Sequence, residues 1–390
     1  MIPTMLFSSS TREELLELRR DLHRHPELSF QEERTAAKLY ESLARLKPKS
    51  LDRIAGTGVV ARLEGRDPEA PVVALRGDID ALPIQEDTGL DFASVHAGVM
   101  HACGHDVHAT WAVGAAHLLS ENPATGDVLI ILQPAEETGT GASKILASGA
   151  LDDADAIFGA HVDRRFTVGE VVAQSGPLAA STDTFFVELT GSGAHGARPQ
   201  EGIDPIVGMA AIITQLQTIV SRRINPAHAA VVTVGTVKAG TAPNVIPETA
   251  ALSGTIRATD PETRNKLHEE IRVVVESTAA AHHLTADVTL EPGTPPIINR
   301  EEPVAWCRRA VESVLGKGAL KDLGSLNMGG EDFAFYLERL PGCFLRVGAR
   351  EPGGKIIPAH NSKFYAADES IFVGAAVLAE TARIASAELG

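Results

Sequence analysis

Apolar residues recur at helical spacing near the start of the chain. Leu15, Leu16, Leu18 and Leu22 share one face of a helix, because residues three and four apart stack on the same side. Thr11-Arg12-Glu13-Glu14 has the form of a capping box, so the helix is predicted to open there and run to about Arg20. A second helix is predicted from Glu32 to Leu46. Short apolar runs at Val59-Val60-Ala61 and Val72-Val73-Ala74-Leu75 read as strands. Helical spacing returns from Val107 to Leu119, with Gly114 as a mid-helix cost. Val128 to Leu132 is an unbroken apolar run between Asp127 and Gln133, the pattern of a central strand buried on both faces. Ala156 to Ala160 is another. Strands alternating with helices predict an α/β domain whose sheet is largely parallel and covered on both sides.

After Gly176-Pro177 the order of elements changes. A strand over Thr184 to Leu189 is followed by a long helix from about Pro205 to Arg222. Strands at Ala230 to Val237 and Glu248 to Arg257 come next, then a helix from Pro261 to about Ala281 with Asp260 as N-cap. A strand at Ala286 to Leu290 closes the set. The order β-α-β-β-α-β is the ferredoxin-like split motif, and its span of about 110 residues suits an inserted domain. Glu291 to Pro296 reads as the return linker. A helix from Glu302 to Leu315, a helix from Glu331, a strand at Phe344 to Val347 and a C-terminal helix from Ala367 resume the first pattern. The expectation is a two-domain α/β protein: a discontinuous domain of residues 1–180 and 293–390, interrupted by a smaller one of residues 181–292.

Composition narrows what such a fold does. The 390 residues exceed one ordinary core, and 44% hydrophobic content fills two. No apolar run approaches the ~20 residues that cross a bilayer, and Met1 to Ser10 lacks the form of a signal peptide. Three widely spaced cysteines, Cys103, Cys307 and Cys343, argue against a disulfide framework and for a reducing, cytoplasmic setting. A net charge of −16 gives no basic footprint for nucleic acid or an anionic membrane. One placed arginine still suffices for a small anionic substrate.

The candidate chemistry starts at Met100-His101-Ala102-Cys103-Gly104-His105-Asp106-Val107-His108, which gathers thiol, imidazole and carboxylate donors. Cys103 and His105 flank a glycine that lets the backbone turn tightly around an ion. Taken alone, Cys103 fits a small buried hydrophobe equally well. Gln133-Pro134-Ala135-Glu136-Glu137 follows the most apolar strand, and ligands in open α/β sheets gather at the carboxyl ends of strands. Two adjacent carboxylates there are costly to bury without a cation, and they divide naturally into a metal ligand and a general base. The competing reading is a solvated acidic turn. His161 follows another strand, and His360 lies in a loop before the last helix. Among fourteen histidines each alone is weak. Cys103, His105, Glu137, His161 and His360 together exceed one tetrahedral zinc and suit two ions bridged by water, about 3.5–4 Å apart in such sites. Asp78, after another strand, is placed to orient a ligating imidazole. His101 and His108 read as structural neighbours.

Arg76-Gly77-Asp78-Ile79-Asp80-Ala81-Leu82-Pro83, Met100 to His105, Glu136-Glu137 and Gly159-Ala160-His161 resemble the M20 metallopeptidase family. The likeness is to its amidohydrolase branch of aminoacylases, hippurate hydrolases and plant auxin-conjugate hydrolases. It extends from His23-Arg24-His25-Pro26-Glu27 to the C-terminal helix, nearly the whole chain. The resemblance implies a zinc-peptidase-like catalytic domain with two divalent ions (manganese, zinc, cobalt or nickel), Glu136 as base and Glu137 as ligand. It implies that the inserted domain is a lid and the contact of a homodimer or a dimer-based tetramer. Gly191 to Pro199 is similar to a lid loop whose histidine, here His195, stabilises the oxyanion, often in the partner's site. A histidine among such small residues has no apolar face to pack on, which itself favours function. Asn244 in Ala242 to Pro247 resembles a substrate contact. Arg257 resembles an arginine that pairs with a substrate carboxylate, a job its planar fork suits, although a surface salt bridge explains it equally. Gly329-Gly330-Glu331-Asp332-Phe333 also matches, and physically it reads as a helix start with acids at the positive dipole end.

The resulting expectation is an enzyme that hydrolyses the amide bond of N-acyl amino acids. The same centre would serve an N-acetyl-diaminopimelate deacetylase or a dipeptidase. A catalytically silent binding protein stabilised by metal is the alternative of another class. It would not need Glu136 beside Glu137.

Overall fold

A computed structural model describes residues 2–326 and 328–389. Its elements in chain order begin with α1 (Ser9–Arg24), α2 (Glu33–Ala44), β1 (Ser50–Ile54), β2 (Gly58–Leu63), β3 (Val73–Asp78), α3 (His105–Glu121) and β4 (Val128–Gln133). Next come α4 (Gly141–Ala147), β5 (Ala156–Thr167), β6 (Val171–Val172), β7 (Gly176–Ala179), β8 (Asp183–Thr190), β9 (Ala194–His195) and α5 (Pro205–Arg222). Then follow β10 (Ala230–Ala239), β11 (Val245–Ile246), β12 (Thr249–Ala258), α6 (Pro261–Ala281), β13 (Thr285–Pro292), β14 (Ile297–Asn299) and α7 (Glu301–Leu315). The chain ends with α8 (Ala334–Leu337), β15 (Gly342–Arg350) and α9 (Glu369–Glu388). Two compact units result. One comprises Met1–Gly176, Ile298–Ser325 and Asp332–Gly390, the other Pro177–Ile297 and Leu326–Glu331.

The first unit is built on a seven-stranded sheet in the order β1-β2-β4-β3-β5-β15-β6. Its four inner strands β4, β3, β5 and β15 run parallel. The flanking β2, β1 and β6 are antiparallel to their neighbours, so the sheet is mixed rather than largely parallel. Strand β1 is absent from the sequence reading because Ser-Leu-Asp-Arg-Ile is a mostly exposed edge with no apolar run. α3 and α9 pack on each other and over β3 and β5. Both are apolar nearly all round, the mark of a buried helix. By length and composition α9 would suffice to cross a membrane, but here it is core. Gly114 has a packing reason: a Cβ there would stand 2.9 Å from the Cβ of Ala375 on α9.

Several element boundaries differ from expectation: α1 runs on to Arg24 and β5 to Thr167, and two others have a clear local reason. α1 starts a turn early, because the Ser8 hydroxyl caps it by accepting from the Thr11 N–H at 3.1 Å, and Thr11 lies inside the helix. The helix expected from Glu331 is only the single turn α8, starting at Ala334.

The second unit is an antiparallel sheet in the order β10-β12-β8-β13 with α5 and α6 on one face. Phe185, Val187 and Leu189 of β8 turn inward onto Ile212, Leu216, Ile271 and Val275, while Phe186, Glu188 and Thr190 stay exposed. This period-two pattern is what one packed and one open face require. Asp204 and Asp260 cap α5 and α6 through their side chains.

Candidate metal centre

Parallel pairing brings the chemistry to one edge of the large sheet. Asp78 and Gln133, the last residues of β3 and β4, stand opposite each other. Arg76 pairs with Gly159, so two residues on Asp78 comes level with His161. His161 is therefore not at a strand end as expected. β5 runs on to Thr167, yet His161 still meets the ends of its neighbours. Gly104, left-handed at φ +91°, turns the chain into α3 and sets Cys103 and His105 on either side of the bend. A Cβ on Gly104 would lie 2.4 Å from Val162 Cγ2, so no larger residue fits. After β4, Ala135 adopts φ +54°. The buried Glu32 carboxylate holds that turn, accepting from the Ala135 N–H at 2.9 Å and from the Thr57 hydroxyl at 2.6 Å. Glu136 and Glu137 follow directly.

The five residues read as ligands fall into two overlapping groups. Cys103, His105 and His161 present donor atoms within 4.8 Å of one another, and so do Cys103, Glu137 and His360. Cys103 Sγ lies 3.2 Å from His161 Nε2, and Glu137 Oε2 lies 3.4 Å from His360 Nε2. Glu136 Oε2 and Glu137 Oε1 approach His105 Nε2 at 3.8 and 3.9 Å. Hydrogen bonds fix which imidazole nitrogens are open. His161 Nδ1 donates to the Val162 carbonyl at 2.7 Å, which turns the Nε2 lone pair toward Cys103. His105 Nδ1 faces the Asp80 carbonyl at 2.9 Å and its carboxylate at 3.1 Å, acceptors both, so the proton sits on Nδ1. His105 Nε2 and Glu137 Oε1 are buried with no hydrogen-bond partner. Leaving two such atoms buried and unpaired is costly. Thiol, imidazole and carboxylate converging on them fit a transition-metal ion.

Electrostatics agree. Burial, then the Glu137 charge, pushes the Cys103 thiol up to about 12. Burial alone would lower His105, but Asp78 and the Asp80 hydrogen bond outweigh it and hold the imidazole well above its ordinary value. Burial, with His108 and Arg346 beside it, holds His161 well below. Without a cation, then, Cys103 and His105 keep protons that an ion must displace.

Asp78 needs correction. It does not hydrogen-bond a ligating imidazole: its Oδ2 is 3.6 Å from His105 Nε2, too far. It accepts instead from His108 Nδ1 at 2.6 Å and from Arg76 Nη1 at 2.5 Å. The carboxylate that meets His105 Nδ1 is Asp80, which also accepts from the Glu137 N–H at 3.1 Å and the Ser29 hydroxyl at 2.7 Å. His108 Nε2 accepts from the Val162 N–H at 2.9 Å, so both its nitrogens are taken and it is no ligand. His101 is buried and belongs to no donor cluster among the described residues. Asp332 does not cap the helix expected from Glu331; it accepts from the Ala142 N–H at the start of α4 at 2.9 Å. It pairs with buried Arg76 at 3.0 Å and accepts from Gln133 at 2.8 Å. Sequence reasoning missed Asp80, Glu32 and the Arg76–Asp332 pair. Only Asp80 had a visible signal, its place two residues beyond a strand-end aspartate.

The second unit carries the remaining three. His195 lies on β9, paired with Val245 of β11, and the Gly196 N–H donates to the Asn244 carbonyl at 2.8 Å. His195 Nδ1 accepts from the Ala197 N–H at 3.0 Å, which leaves Nε2–H as an exposed donor. Asn244 is exposed on the same ribbon. Arg257 lies toward the far end of β12, eight residues and about 27 Å of strand from its first residue, Thr249.

Residues 74–384 match the model of peptidase family M20/M25/M40. The chain is 43% identical over 347 residues to an N-acetyl-L-cysteine deacetylase of Bacillus subtilis, covering 87% of this chain and 81% of that one. A second protein of that organism, an N-acetylcysteine deacetylase, is 40% identical over 95% of this chain and 96% of its own. Among solved structures, a dinuclear metal-binding peptidase of the M20 family from Bacillus subtilis superposes with a TM-score of 0.86 at 37% identity, covering 97% and 99% of the two chains.

Proposed function

The chain belongs to the peptidase family M20/M25/M40 and is a metal-dependent amidohydrolase, and on that premise we propose how its residues divide the hydrolysis of N-acyl amino acids. Cys103, His105, Glu137, His161 and His360 would hold two divalent ions, with manganese, zinc, cobalt and nickel all compatible with mixed sulfur, nitrogen and oxygen donors. Bound there, the ions supply Lewis acidity and lower the pKa of water. Glu136 takes the proton from the attacking water and passes it to the leaving amine. His195 donates Nε2–H to the oxyanion. Asn244 or Arg257 grips the substrate carboxylate. Because His195 stands exposed on the β9–β11 ribbon with Nε2–H free to donate, a homodimer in which one copy lends that ribbon to the other's centre is the arrangement we favour.

The observation that carries this reading is the convergence of His105 Nε2 and Glu137 Oε1, both buried without a hydrogen-bond partner, with the second carboxylate of Glu136 beside them. The names of the two deacetylases support an N-acyl amino acid as substrate, with N-acetylcysteine the first compound to try. A silent binding protein is not favoured, since these relatives are hydrolases. The three cysteines are buried and free, which supports a cytoplasmic setting. The test is release of amine from a panel of N-acetyl and N-benzoyl amino acids with Mn²⁺, Zn²⁺, Co²⁺ or Ni²⁺ added. Hydrolysis abolished by chelator and restored by metal is expected. Turnover indifferent to chelator, or none with any of the four metals, would refute the reading.

A further inference from the structure

The loop that carries His360 is largely exposed, yet one buried side chain governs it. Arg164 stands on β5 three residues beyond His161 and is only 2% exposed. Side chains alternate along a strand, so it leaves β5 on the face opposite His161. Its Nη1 donates to the carbonyls of Tyr365 at 2.9 Å and Ala349 at 3.3 Å, and its Nη2 to that of Lys355 at 2.8 Å. Glu351 accepts from both nitrogens at 3.1 and 3.3 Å. The guanidinium lies 4.2 Å from the centre of the Tyr365 ring, whose hydroxyl donates to Glu351 at 2.5 Å. Lys355 and Tyr365 are thus held by one side chain, and His360 lies midway between them. Two more bonds pin the arc: the His360 N–H to the Ala102 carbonyl and the Asp87 N–H to the Ser362 carbonyl, each 2.8 Å. His360 itself has φ +63°, a conformation a side-chain-bearing residue keeps only where its surroundings enforce it.

We propose that Arg164 is a positioning residue: its clasp on both ends of the 355–365 arc sets His360 against Glu137 and Cys103, and so sets the affinity of the ion that His360 holds. The same strand then serves both donor groups, one through His161 and the other through Arg164. Only a planar fork with two donating Nη groups spans these carbonyls and the carboxylate at once. The proposal rests on the reading of His360 as a ligand.

Calorimetric titration of Mn²⁺ into metal-free full-length protein tests it in a double-mutant cycle of Arg164→Met with His360→Ala. With His360 present, R164M is expected to weaken one of the two Mn²⁺ binding steps, the one that H360A weakens, about 10–100-fold, the range for residues that support ligands. In H360A it should change affinity by less than about twofold. Equal weakening in both backgrounds would make Arg164 merely structural and overturn the proposal. Unchanged affinity in R164M beside a weakened H360A would overturn it too, leaving the ligand assignment intact. Unchanged affinity in H360A would remove the assignment and the proposal together. If R164M does not fold, Arg164→Lys takes its place, since it keeps the charge and one carbonyl contact. The same coupling to His360 is expected at smaller size, and its absence counts as refutation.

Discussion

Asp78 and Asp80 stand two residues apart, both buried, with different tasks. Asp80 joins His105 Nδ1 to the Glu137 backbone, so Asp80→Asn should leave the fold intact and weaken Mn²⁺ binding about 10–100-fold by calorimetry. Asp78 compensates the buried Arg76 and accepts from His108 Nδ1, and removing one partner of such a buried pair costs about 3–5 kcal/mol. Asp78→Asn should therefore appear first as a lowered denaturation midpoint. Protons provide a second test at this scale. His105 is held above its ordinary value and Cys103 at about 12, and both must be deprotonated to bind an ion. Raising the pH removes the competing protons, so Mn²⁺ affinity should climb as pH rises through and above the usual imidazole range of about 6.5. A pH-independent affinity would contradict these protonation states.

At the scale of elements, the centre depends on one left-handed residue between a loop and a helix. Gly104→Ala adds a Cβ 2.4 Å from Val162 Cγ2 at φ +91°. A left-handed non-glycine residue costs roughly 1–2 kcal/mol and overpacking about 1–3 more. The denaturation midpoint should fall accordingly, with metal affinity, since Cys103 and His105 hang on that bend. This scale also separates what was legible from what was not. α5 and α6 begin and end where Asp204-Pro205, Asp260-Pro261 and the apolar spacing place them, because caps and periodicity are local signals. α1 escaped by one turn because Ser8, Thr11 and the residues between them offer two competing caps. β1 escaped because an exposed edge leaves no apolar trace.

At the scale of the molecule, the donors come from separate stretches of the chain that meet only after parallel pairing levels β3, β4 and β5. As candidates they stand out in the sequence because sulfur, imidazole and paired carboxylates are scarce chemistry beside strand ends. Their supports, Asp80, Glu32 and Arg164, do not, since each is an ordinary charged residue until the fold buries it beside a particular backbone group. The central claim is that Glu136 moves protons while its neighbour binds metal. Its most direct test is metal content and turnover of Glu136→Gln, measured on one preparation with a hydrolysed N-acyl amino acid. Bound metal per chain is expected to stay at the wild-type value while the rate falls by about 10² or more. Wild-type turnover, or loss of metal in step with activity, would contradict it.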